Sequence, residues 1–295
     1  MLNSIYDLYN RFTLDRISHG FKPFTEVKSG FRSPLLISGA FRSGTSIITR
    51  LLCNAGYSCG PESHLLQPKG RYKEFNPDGY FENYFFMELS RYLFHLTDSA
   101  GDRPPSASAV KTILPTGMND ADFRAYAILK LRESRVSNRN KELVLKCASL
   151  NNCAAYVSNV FGNYPVIKNP HFGVLLPWIE KEFPESMHVV VFRNPDDWLR
   201  SAKVVTPNAT YSLYNKYYEA HLDSSRISNR VFINYDELIN APEASIKNIL
   251  LKLGVINYNE ESLVRMIRRK PAKPIDTGVG KTELYQQLKQ LSVNG

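Results

Sequence analysis

Residues 34–55, PLLISGAFRSGTSIITRLLCNA, run from an apolar strand into a glycine loop and straight into an amphipathic helix. The run LLIS suits a buried strand, while Ile47, Ile48, Leu51, Leu52 and Ala55 recur at helical spacing before Gly56, a C-terminal cap. Gly39 and Gly44 bracket four residues and are followed by Thr45 and Ser46, a G-x-x-x-x-G-x-[ST] frame. Glycines there let the backbone turn so that successive amides point at one anion. The loop opens onto a helix N-terminus, whose unpaired N–H groups and dipole favour phosphate or sulfate. Ser43, Thr45 and Ser46 add hydroxyl donors, and Arg42 is a fixed cation whose fork grips two oxygens at once. Threonine stands where a nucleoside triphosphatase carries lysine.

A second anion site is legible near residue 193. The strand HVVVF, residues 188–192, ends in Arg193 and not in the acid that would hold magnesium in a triphosphatase. Asn194, Pro195, Asp196 and Asp197 read as a helix start with an Asn cap and proline in the first turn. Ser201 follows Asn194 by seven residues, two turns along the same face, so Arg193 and Ser201 are expected to share one phosphate. Upstream, residues 164–167 form a short strand ending at Lys168. Val174, Leu175, Trp178 and Ile179 keep helical spacing until Pro184 stops it. Strand, helix and strand make a right-handed βαβ unit with parallel strands. The expected fold is therefore α/β, a P-loop-type open parallel sheet flanked by helices. Arg42, Lys168 and Arg193 all fall just beyond strand carboxyl ends, the edge at which such sheets bind ligands.

These residues carry a family resemblance. Residues 39–46 (GAFRSGTS) resemble the 5′-phosphosulfate loop of sulfotransferases that use 3′-phosphoadenosine 5′-phosphosulfate (PAPS). Residues 193–201 (RNPDDWLRS) resemble the same family's 3′-phosphate motif, an arginine followed eight residues later by serine. Residues 166–195 are similar to the family's central strand, helix and strand. Residues 232–254 are similar to its tyrosine-acid strand end and packing helix. The resemblance implies PAPS as cofactor, adenosine 3′,5′-bisphosphate as product, and in-line transfer of a sulfuryl group to a hydroxyl, or a nitrogen, of a small acceptor. It gives Arg42, Ser43, Gly44, Thr45 and Ser46 to the phosphosulfate, and Arg193 and Ser201 to the 3′-phosphate. Arg42 and Lys168 would act in catalysis.

The acceptor pocket is expected in the insertion at residues 60–110, where 60–86 is dense in aromatics, prolines and ionisable groups. Tyr80, Phe81, Tyr84 and Phe85 are candidate walls. Glu82 lies in N-P-x-G-Y-F-E, which resembles a segment of some bacterial sulfotransferases whose acid faces the acceptor; otherwise it is a glutamate stabilising a helix N-terminus. Glu82 is the first candidate for the general base, with His64 and His171 as alternatives suited by their intrinsic pKa. Both Glu82 and His171 are also assigned to the acceptor site. The motifs call for no metal.

Composition bounds the rest. With 37 Lys and Arg against 28 Asp and Glu the net charge is +9. That excess suits an anionic cofactor, and no basic, aromatic-interleaved module frame points to nucleic acid. A chain of 295 residues, 43% hydrophobic, reads as one folded domain with an N-terminal helical extension over 1–30 and a C-terminal lid over 265–295. The basic stretch 265–273 and the glycine-lysine cluster 274–281 (PIDTGVGK) suggest the lid, although the family's R-K-G-x-x-G form is missing. No run approaches the roughly 18 apolar residues of a membrane span, and no secretory h-region opens the chain, so a cytoplasmic protein is expected. Cys53, Cys59, Cys147 and Cys153 lack zinc spacing, and a cytoplasmic setting disfavours disulfides, so no chemistry is assigned to them. Two other classes stay open: a P-loop small-molecule kinase using ATP and magnesium, and a non-catalytic basic protein that binds nucleotide or nucleic acid. Oligomeric state is not legible.

Overall fold

A computed structural model describes residues 35–60, 65–66, 76, 79–82, 87, 90, 166–182, 186–222, 229–267 and 282–293. The run HVVVF does not alternate because the sheet is covered on both sides, as the expected parallel architecture requires. Four strands, β1 (Leu35–Ser38), β2 (Val166–Lys168), β3 (Met187–Phe192) and β4 (Arg230–Asn234), pair in the order β2-β1-β3-β4, every pair parallel. Register sets Leu35 opposite both Val166 and Met187, and His188 opposite Arg230. All of the strand ends therefore deliver their following residues to one edge.

Successive side chains on β3 and β4 part to opposite faces. Val189, Val191, Val231 and Ile233 join Leu35 and Ile37 against Ile48, Leu51 and Leu52 of α1 (Thr45–Asn54), the helix that leaves the glycine loop. After β4 come α5 (Tyr235–Asn240), α6 (Pro242–Lys252) and α7 (Glu260–Met266). Ile246, Ile249, Leu250 and Leu263 from the last two complete that layer. Val190, Phe192 and Phe232 face the other way. They meet Trp198 and Ala202 of α3 (Pro195–Lys203), Tyr214, Tyr217 and Tyr218 of α4 (Tyr211–Leu222), and Tyr285 and Leu288 of α8 (Glu283–Gln290). The crossover helix α2 (Phe172–Glu182) packs on α4 at Gly173, where a Cβ would lie 2.7 Å from the Tyr217 carbonyl oxygen. Asn194 caps α3 by accepting from the amides of Asp196 and Asp197, with Pro195 in the first turn, as the sequence indicates.

Both sheet edges are closed by short bridges that the sequence did not announce. Glu82 pairs with Lys168 on β2, and Ser292 pairs with Phe232 on β4. The C-terminal residues 282–293 thus pack on the core. The basic stretch from 268 and the glycine-lysine cluster to 281, on which the lid reading rests, lie outside the described residues, as do the N-terminal extension and most of the 60–110 insertion. No helix among the described residues is long and apolar enough to cross a membrane. The cysteine reading needs correction: Cys53, the penultimate residue of α1, and Cys59, in the loop beyond it, form a disulfide. The polypeptide reverses at Ala55 and Gly56 and brings the two residues to a Cα separation of 6.4 Å, within bridging range. Cys147 and Cys153 lie outside the described residues.

His188 and Arg230, near the amino ends of β3 and β4, form a buried basic layer with His221 of α4. The Arg230 guanidinium donates to the Glu180 carboxylate and to the His221 carbonyl, and His221 Nε2 lies 3.0 Å from Ser38 Oγ. Burial first, and then the charge of Arg230, depresses His188 to about 3, and the same two causes lower His221. An unfolded histidine titrates near ~6.5. The neutral rings therefore contribute stability above that pH, and it is lost as pH falls from about 6.5 towards 3, where only the unfolded chain takes up protons. Urea midpoints measured from pH 7 to pH 4 should fall, and His188→Gln should flatten the slope. A variant as pH-dependent as the wild type would remove His188 as a source.

Candidate active site at the carboxyl edge of the sheet

Both glycines of the loop are required by close approach. Gly39 has φ 139°, and a Cβ there would sit 2.1 Å from the Val191 carbonyl oxygen. Gly44 has φ 93°, and its Cβ would strike the Tyr235 ring at 2.1 Å. Between them the Ser43 amide closes a turn on the Ala40 carbonyl at 3.1 Å, and Arg42 adopts φ 67°, uncommon for a side-chain-bearing residue. The amides of Ile47 and Ile48 both reach the Gly44 carbonyl. Among the described residues no protein acceptor takes the amides of Gly44, Thr45 and Ser46, and no side chain caps α1. Those donors define an anion cradle with the positive end of the helix dipole behind it.

Arg193 leaves β3 beside this cradle. Its guanidinium lies over the Tyr235 ring, 5.0 Å from the centroid, and its Nε stands 3.8 Å from Asp236 Oδ1. That Nε is buried and makes no hydrogen bond, an orphaned donor of the kind an anion satisfies. Asp236 is pinned from the other side, accepting the Asn194 amide at 2.5 Å. Burial raises the Asp236 carboxyl, against the Asn194 amide and Arg193, which lower it. Ser201, expected to share a phosphate with Arg193, accepts from Arg42 Nε at 3.2 Å. It thereby joins the two motifs: α3 starts beside Arg193 and, two turns later, holds the arginine of the loop. Burial lowers the Arg42 pKa foremost, and the like charge of Arg193 adds to this while Tyr80 opposes it.

The third cation meets residues 80–82. Lys168 is 3% exposed; its Nζ donates to Glu82 Oε1 at 2.5 Å and to the Tyr80 carbonyl at 3.0 Å. It also lies 3.5 Å from Ser46 Oγ. Ser46 in turn donates to the Tyr80 carbonyl and accepts from Asn76 Nδ2, both at 3.3 Å. Thus one hydroxyl in the first turn of α1 joins the loop to Asn76, Tyr80 and Lys168. Burial drives the Lys168 pKa down, while the Glu82 charge and hydrogen bond push it back up. Phe81, between Tyr80 and Glu82, has φ 58°, a conformation that costs an aromatic residue about 1 kcal/mol or more.

The structure thus brings together Arg42, Gly44, Thr45, Ser46, Tyr80, Phe81, Glu82, Lys168, Arg193 and Ser201. Ser43 is in the loop, but its side chain is buried and bonded to Tyr218, 2.8 Å between oxygens. His171 is buried and stacked on Tyr217 of α4, centroids 5.7 Å apart, with its amide on Asn169 Oδ1. His64, Tyr84 and Phe85 lie outside the described residues. Sequence reasoning missed Tyr218 and Trp198, whose Nε1 donates to the Phe41 carbonyl at 2.6 Å. The recurrence of tyrosine at 211, 214, 217 and 218 was the available signal for the first, since a helix bearing that stripe packs an aromatic face somewhere.

Residues 34–260 match the profile described as "Sulfotransferase family". A comparison with curated protein sequences finds no match. Among solved structures, the chain is similar to the sulfotransferase domain of the olefin synthase from Synechococcus PCC 7002, at 16% identity over 91% of this chain and 97% of that one, with a TM-score of 0.37. It is also similar to sulfotransferase STF1 from Mycobacterium tuberculosis H37Rv, at 12% identity over 88% of this chain and 76% of that one, with a TM-score of 0.35. The family match runs from the residue before β1 to the first residue of α7, takes in both arginines and the Lys168–Glu82 pair, and shows that the chain belongs to the sulfotransferase family.

Proposed function

We propose that this sulfotransferase uses PAPS and sulfates a hydroxyl, or a nitrogen, of a small molecule. The observation that carries the reading is the proximity of Arg42 and Arg193 at the edge where an open helix N-terminus begins, with a buried Arg193 donor that has no hydrogen bond among the described residues. The residues fit a ligand with anionic groups at two separated points. The amides of Gly44, Thr45 and Ser46 with Arg42 would hold the 5′-phosphosulfate, and Arg193 would hold the 3′-phosphate. When bound, PAPS supplies an activated sulfuryl group and leaves as adenosine 3′,5′-bisphosphate.

The chain's own task is positioning, charge stabilisation and removal of one proton. Glu82 is the proposed base, and its carboxylate is held by the Lys168 ammonium. Taking the acceptor's proton onto Glu82 neutralises that carboxylate and releases the Lys168 charge to the reacting edge. Lys168 would then stabilise negative charge developing beside Ser46, which it already approaches. Tyr80 and Phe81 would line the acceptor's path, their backbone fixed by the same lysine and serine.

Calorimetric titration with adenosine 3′,5′-bisphosphate should show binding that needs no metal and that collapses in Arg193→Ala. Stronger binding of ADP with magnesium would favour a kinase, and binding that weakens steeply with salt while ignoring the 3′-phosphate would favour a nucleic-acid binder. Arg42→Ala should cost turnover about 10²- to 10³-fold, as removal of a preorganised donor does. In Glu82→Gln, turnover should fall while bisphosphate affinity stays near wild type; unchanged turnover would take Glu82 out of the mechanism.

A further inference from the structure

The turn that displays Arg42 is not held by its own backbone alone. Tyr218, on α4 and fully buried, places its phenolic oxygen 3.1 Å from the Ala40 amide, 2.8 Å from Ser43 Oγ and 3.0 Å from the Val191 carbonyl. A phenol has a single proton, and a carbonyl only accepts, so that proton goes to Val191. The two remaining partners must then donate: the Ala40 amide and the Ser43 hydroxyl. One oxygen therefore ties both ends of the Ala40–Ser43 turn to the strand on which Gly39 is seated. Burial raises the phenol's pKa far above neutrality, which keeps its proton in place. The turn needs this support because Arg42 sits at φ 67°, a conformation that local preference disfavours.

We infer that Tyr218 is a positioning residue for the 5′ end of the cofactor: through Ala40 and Ser43 it holds Arg42 and the open amides of α1 where they meet the phosphosulfate. The inference rests on the proposed PAPS reading. It also reassigns Ser43, whose hydroxyl serves the clamp and not the anion. The three hydrogen-bond partners of the Tyr218 hydroxyl, Ala40, Ser43 and Val191, do not include Arg193, so losing that hydroxyl should act on the 5′ end of the ligand first.

The test measures dissociation constants for adenosine 3′,5′-bisphosphate and for adenosine 3′-monophosphate, which lacks the 5′ group, in wild type, Tyr218→Phe and Ser43→Ala. Tyr218→Phe keeps the ring and removes only the hydroxyl. It should weaken the bisphosphate about tenfold and leave the monophosphate unchanged, a loss in keeping with a few modest hydrogen bonds. Ser43→Ala, which leaves the α4 core intact, should move the same ratio in the same direction by a smaller factor, and it decides the matter if Tyr218→Phe does not fold. An unchanged ratio in the folded variants, or equal weakening of both nucleotides, overturns the inference and leaves the cofactor reading standing. A wild type with no preference for the 5′ group overturns both.

Discussion

Two guanidinium groups held on one sheet edge, Arg42 and Arg193, are the constraint on which the rest of this structure depends. Burial lowers the Arg42 pKa, and the like charge of Arg193 adds to that lowering. Such an arrangement persists only when the surrounding fold over-determines it. Asp236 stands beside Arg193 and is itself fixed by the Asn194 amide, Tyr235 provides the ring beneath the guanidinium, and Ser201 holds Arg42 by its Nε. Among the described residues Asp236 is the carboxylate that stands beside Arg193, and the open N-terminus of α1 adds positive potential at the same edge.

The topology makes this economical. Parallel strands deliver every loop to the same edge, so the residues after β1, β2, β3 and β4 converge without any long-range design beyond the register. The side chains that steady the loop come from the tyrosine-rich face of α4 and from α3. Helix α3 is doubly employed: its first turn is capped by Asn194 beside Arg193, and its body presents Trp198 to Phe41 and Ser201 to Arg42. The Gly44–Tyr235 contact closes the circuit, since the residue after β4 fills the space a Cβ at Gly44 would occupy.

The parts of this site built from contiguous sequence were legible in advance. The loop frame, the Asn194 cap, the parallel βαβ unit and the three cations at strand ends each follow from local spacing, and the structure has them. What escaped was tertiary. Helical periodicity puts Ser201 on the Asn194 face of α3, but its contact with Arg42 depends on how α3 is laid against the loop, which local spacing does not report. The Cys53–Cys59 bridge escaped because the argument ran through cellular compartment, whereas the reversal after α1 brings the sulfurs together whatever the compartment. Tyr218 stands 175 residues from Ser43, and no local pattern connects them.

The buried pair Lys168–Glu82 presents the remaining physical question, because burying an ion pair is seldom a gain in stability over apolar packing, and breaking one partner is costly. Its retention at this position makes sense if the charges are used. Lys168 ends β2 and Glu82 lies on the segment paired to it, so the proton state of the carboxylate is felt at once by the ammonium that approaches Ser46. Ser46 opens the helix whose amides line the cradle. In the proposed mechanism, acceptor deprotonation and charge stabilisation at the cofactor end would be joined by two contacts, Glu82 to Lys168 and Lys168 to Ser46. In that reading burial lowers the Lys168 pKa and Glu82 opposes this, so the ammonium keeps its charge through the step only as negative charge developing at the cofactor end takes over from the carboxylate being neutralised.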